Sequence, residues 1–184
     1  MRIEFSLLTF LAFAAVWGVS HAAGTEPHPV EQSEFSAEDA AVKKPVSIPE
    51  DVLAMLRKDK TVQSALLDQN IGPENLPASW FSASAIHLSG AKATDLVVVG
   101  EPPLVGGNVT LFWVFCATAD GHELVLTAPA HNLMVKNKQW KGHREIELAS
   151  MTAVQISTVL CRFDGKRYTE YRSIGTHSID LLPL

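Results

Sequence analysis

Residues 109–126 read VTLFWVFCATADGHELVL. Two runs of branched and aromatic side chains, 109–116 and 122–126, are joined by a short loop containing Asp120-Gly121. Such residues favour a pleated, half-buried surface, so the stretch predicts a β-hairpin at the heart of a sheet. In the first run Leu111, Trp113 and Phe115 share one side, and Phe112, Val114 and Cys116 share the other. Both sides are apolar, which predicts burial on two faces, one of them beneath helices.

Outward from this hairpin, β-forming runs alternate with turn residues at 81–88, 95–99, 133–136, 144–148, 154–163 and 167–174. With the hairpin itself they make about eight strands, and connections this short suit an antiparallel meander. Asp164-Gly165 between β-formers predicts a tight two-residue turn. Pro102, Pro103, Gly106 and Gly107 mark the longest interruption within this region.

Upstream, Ser47 and Glu50 have the spacing of a capping box, with Pro49 near the first helical position. Val52, Leu53, Met55 and Leu56 would line one face of that helix. A second short helix over 60–67 has Asp59 as its N-cap and Val62, Ala65, Leu66 and Leu67 on its apolar side. The two helices are expected to cover the sheet; the alternative is a docking arm. The fold expected is α+β: two short N-terminal helices, then an antiparallel β-meander of about eight strands, as a curved sheet or sandwich-like.

The beginning of the chain has a different character. Arg2 precedes an apolar run over 5–19, and Ser20-His21-Ala22 offers small residues at the two positions a signal peptidase reads. Residues 1–22 are therefore expected to be a signal peptide cleaved after Ala22, with no membrane span left in the mature chain. Residues 23–46, poor in large apolar groups, read as a flexible acidic leader, and 47–184 as a single helix-plus-sheet domain. An even cysteine count in an oxidising compartment predicts a Cys116–Cys161 disulfide; two buried free thiols are the alternative.

Net charge is −5, and residues 24–51 carry seven acidic against two basic side chains. The remainder, 52–184, has twelve of each. A neutral folded part offers no field to gather nucleic acid. Basic residues do cluster at Lys136, Lys138, Lys141 and Arg144, a spacing expected of a solvated loop. Trp140 within that segment is the aromatic expected to stand exposed.

Catalytic signatures are missing from the sequence. The histidines of the mature chain, His28, His87, His122, His131, His143 and His177, form neither HExxH nor HxH, and there is no CxxC, GxSxG or phosphate-binding loop. No metal and no cofactor are expected. Glu101, Glu123, Glu145, Glu147 and Glu170 leave open a carboxylate pair, whose separation only a fold can set.

Residues 85–99, AIHLSGAKATDLVVV, resemble a degenerate copy of the bacterial FG-GAP/VCBS-type repeat, in which an Asp-rich turn between two strands binds calcium. Of the acidic positions only Asp95 is present; His87, Ser89 and Ala91 stand where other oxygen ligands are wanted. The FDGKRY corner and FWVF strand are similar to exported bacterial β-proteins without assigned activity.

The function these features favour is an exported, non-enzymatic binding or inhibitor-like module, periplasmic or secreted. Its partner would be another envelope or secreted protein, met by Trp140, Lys138, Lys141 and Arg144. The alternative is a small extracellular hydrolase using carboxylate or histidine acid/base chemistry.

Overall fold

The computed structural model describes residues 31–37, 42–90, 94–152 and 155–178. The expected signal peptide and its cleavage site lie outside them, as do residues 23–30 and 38–41 of the leader, and Ala91. In chain order the elements are β1 (Glu34–Ser36), α1 (Glu50–Leu56), α2 (Lys60–Asp68), β2 (Phe81–Ile86), β3 (Asp95–Gly100) and β4 (Thr110–Thr118), followed by β5 (Gly121–Ala130), β6 (Asn132–Trp140), β7 (His143–Met151), β8 (Gln155–Phe163) and β9 (Tyr168–Ser178). No helix among the described residues is long and apolar enough to cross a membrane.

The strands form two antiparallel sheets, ordered β2-β3-β4-β5 and β1-β6-β7-β8-β9. Apart from β1, which pairs with β6, neighbouring strands are consecutive in the chain, so the meander expected from the sequence runs through both sheets. Only His131 separates β5 from β6, where the chain leaves one sheet for the other.

The alternating faces of β4 decide the layering. Phe112, Val114 and Cys116 join Val97 and Val99 of β3 in a core shared with Leu133, Val135, Ile146, Leu148 and Cys161 of the second sheet. Trp113 and Phe115 face the other way, onto Val52 and Leu56 of α1 and Val62 and Leu66 of α2. The four-stranded sheet is thus buried on both faces, under helices on one side and against the five-stranded sheet on the other. The five-stranded sheet keeps an outer face uncovered by either helix, and that face positions the site below.

Local structure departs from the sequence reading in several places. The proposed capping box does not form: α1 begins at Glu50 with Pro49 at its N-cap, so Ser47 lies outside the cap position, and Glu50 pairs with Arg57 at 2.6 Å. Asp59 does cap α2, accepting from the N–H groups of Thr61 and Val62. Leu67 points outward, 77% exposed. The leader assignment is amended in its second half: Glu34–Ser36 pairs with β6, and Phe35 (0% exposed) and Val42 enter the inter-sheet core. An average over a polar segment conceals a single anchoring aromatic.

The expected disulfide is corrected. Cys116 and Cys161 are both free and buried. Their faces do coincide in one core, yet they belong to opposite sheets, and a bond needs sulfurs in contact at ~2 Å with Cβ vectors aimed at each other. Each packs as a small apolar side chain, and burial pushes the thiols up, to about 12 at Cys116 and about 11 at Cys161.

Candidate functional site

β6 and β7 join through Lys141 and Gly142, both at positive φ (48° and 79°), so Trp140 pairs with His143 across a two-residue turn. The basic segment read as a loop is therefore strand up to Trp140. Arg144 pairs with Gln139 but Ile146 with Val135, so β6 bulges over the intervening residues. Arg144 fills that bulge, donating to the carbonyls of Lys136 (2.9 Å) and Val135 (3.1 Å) and to the Asn137 side chain. Its remaining amine reaches Glu31 at 3.1 Å. Of the four residues expected to bind, Arg144 is thus committed to holding the hairpin and the leader together.

Strand alternation sends Ile146 and Leu148 of β7 into the core and Glu145 to the outer face. Glu145 is nonetheless only 2% exposed. Arg162 of β8 donates to it through Nε at 2.7 Å, the hydroxyl of Tyr171 on β9 donates at 3.1 Å, and Lys138 Nζ stands 3.8 Å away. Burial acts to raise the carboxyl, but the hydrogen bonds from Arg162 and Tyr171, with the charges of Arg162 and Lys138, hold it below its ordinary value. Tyr171 is pushed up, by desolvation and by its bond to Glu145.

The guanidinium of Arg162 lies 3.7 Å from the centre of the Tyr171 ring and 4.4 Å from that of Trp140. Two aromatic faces and one buried carboxylate thus fix a single arginine. Trp140 remains 43% exposed beside it, and Lys136 pairs with Glu147 at 2.9 Å nearby. Trp140 and Lys138 were legible candidates that the fold brings together; Lys141 sits at the exposed turn. Arg162 was missed. Its signal was the alternation of β8, which turns Arg162 to the face opposite that of Cys161, but joining it to Trp140 and Tyr171 required the register of two hairpins.

A second cluster lies where the leader meets β2. A cavity of about 530 Å³ is lined by residues including Glu31, Lys43, Lys44, Ser84 and His87. Glu31 accepts from the His87 main chain (2.9 Å) and meets its Nδ1 at 3.1 Å, while also holding Arg144. That carboxylate ties the leader to β7 and to His87, the residue that follows β2. His122, near the start of β5, pairs with Asp51 at 2.9 Å, and His131, just past its end, with the Asn108 carbonyl at 2.8 Å. Among the described residues no group of three or more His, Cys, Asp and Glu is placed to hold a metal ion. Asp95, the one acidic position of the repeat-like stretch, is fully buried and accepts from the N–H groups of Leu88 (2.7 Å) and Ala117 (2.9 Å), closing the end of the β2–β3 hairpin.

The class these features define is a helix-covered β-sandwich that presents a fixed aromatic–guanidinium cluster on the open face of one sheet. No family model, no curated protein and no solved structure matches the chain.

Proposed function

We propose that the chain is an exported, non-enzymatic binding module of the envelope or exterior, whose contact face is the outer side of the five-stranded sheet around Trp140. The observation that supports this reading is the arrangement beneath that indole. A charged pair at a sheet face adds little net stability compared with apolar packing of the same volume. Here a buried Glu145, Arg162 and Tyr171 nevertheless hold one large aromatic side chain in place at 43% exposure. Contact surfaces are enriched in such rigid Trp, Tyr and Arg side chains, because little conformational entropy is lost when they are covered.

The test is capture from envelope and culture-fluid extracts by the mature chain, beside Trp140→Ala and Leu67→Ser. Leu67 provides the control because it is the exposed apolar residue of α2, on the helical layer. A partner retained by wild type and Leu67→Ser but lost by Trp140→Ala is the expected result. Retention by all three, or by none, overturns the reading. Export itself is checked by expressing the full chain and sequencing the N-terminus of the exported product, expected to begin at Ala23.

A further inference from the structure

The Arg162 side chain is bonded at one end only. Nε holds Glu145, whereas Nη1 and Nη2 have no hydrogen-bond partner among the described residues. A guanidinium presents its two terminal amines as a planar fork that matches a carboxylate. Here the fork is pre-oriented by the rings of Trp140 and Tyr171 and by a carboxylate that already occupies its inner edge. Lys138, 67% exposed at its side chain, adds a second cation beside it.

We infer that Arg162 is a receptor for a carboxylate of the partner, supplied by an acidic peptide segment whose neighbouring apolar side chain covers the Trp140 indole. This deepens the binding-module reading and rests on it. Charge complementarity selects an acidic occupant. The aromatic arrangement selects a peptide over a polysaccharide, since a sugar chain is held by successive open rings. Arg162 lies over the Tyr171 ring at 3.7 Å, and Trp140, 43% exposed, is the one large exposed ring of the cluster.

The probes are a hexapeptide alternating Glu and Phe, its Gln-Phe counterpart, and oligogalacturonate of equal charge. Each is titrated into the mature chain while the Trp140 indole N–H is followed by nuclear magnetic resonance. The Glu-Phe peptide is expected to shift that signal, with binding about tenfold weaker for Arg162→Lys, which keeps the charge but loses the fork. Arg167→Gln, on the β8–β9 turn, is expected to bind as wild type. Because Arg162→Gln alone strands a buried Glu145, the Glu145→Gln, Arg162→Gln double variant supplies a charge-free fold, and it too is expected to lose binding.

Equal binding of the Gln-Phe peptide, or undiminished binding by the double variant, overturns the inference. Preferential binding of oligogalacturonate overturns it in favour of an acidic-sugar receptor. If none of the three probes binds while extract capture still depends on Trp140, the carboxylate receptor fails and the binding module stands.

Discussion

Arg144 and Arg162 sit on neighbouring strands of one sheet and do opposite things. Arg144 turns its guanidinium onto main-chain carbonyls and Glu31, completing hydrogen bonds that a bulged strand would otherwise leave open. Arg162 leans across the outer face between two rings, bonds through Nε alone and leaves the four N–H donors of its terminal amines without a partner among the described residues. Residue type alone could not assign these roles, and a basic cluster in sequence pointed to Arg144 because its neighbours are lysines. The cysteines show the same limit, since strand parity puts each on an apolar face of its own strand but sets neither whether those faces meet nor the distance between the sulfurs. Their burial carries a direct expectation. With the Cys116 thiol at about 12, roughly one in ten thousand is thiolate at pH 8, and thiolate is the reactive species. Iodoacetamide at pH 8 is therefore expected to leave the native protein unmodified and to label two thiols in guanidinium chloride, counted by intact mass. A denatured protein two hydrogens lighter and resistant to labelling would show a disulfide instead.

At the scale of elements, α2 is held to the four-stranded sheet by one carboxylate acting twice. Asp59 Oδ1 accepts from Thr61 (2.8 Å) and Val62 (3.2 Å), and its Oδ2 accepts from the indole of fully buried Trp113 at 3.1 Å. Loss of an N-cap costs about 1 kcal/mol, and a buried indole donor left alone adds about 1–3 kcal/mol. Asp59→Ala is therefore expected to lower unfolding free energy by about 2–4 kcal/mol in urea titration. Asp59→Asn, which keeps an acceptor for the cap, should cost clearly less, and equal losses would remove the dual role. This cap was legible because it requires only a short-range pattern, an Asp before an apolar periodic run. Ser47 and Glu50 had an equally good pattern, yet α1 begins at Glu50 itself, which leaves Ser47 outside the cap position. Hairpin registers were less legible still. Asp164 accepts from the N–H groups of Lys166 and Arg167, so Phe163 pairs with Tyr168 across four residues rather than two. Meanwhile the chain places a two-residue turn at Lys141-Gly142, a pair with weaker turn chemistry than Asp-Gly.

Across the whole molecule, the three layers follow from one strand whose two faces are both apolar, which is why the layering was readable from Phe112 to Cys116. What composition hid is that the second half of the leader closes the sandwich. Phe35 stands at the edge of the five-stranded sheet, next to Leu133 of β6, and is fully buried although its neighbours Glu34 and Ser36 are polar. Only one face of an edge strand meets a core, so a single aromatic suffices there and the surrounding sequence stays polar. Glu31 and Arg144 then fasten the same segment from the side at 3.1 Å. Truncating a buried Phe to Ala typically costs 3–5 kcal/mol through lost transfer energy and the cavity left behind. Phe35→Ala is accordingly expected to cost about 3–5 kcal/mol in urea titration, whereas Val46→Ala, at a residue 38% exposed, should stay within about 1 kcal/mol. A Phe35→Ala loss below about 1 kcal/mol would detach β1 from the fold and return the segment to a dispensable leader. A full loss makes it a structural strand, and trimming the chain to its helices and later strands would then open the inter-sheet core.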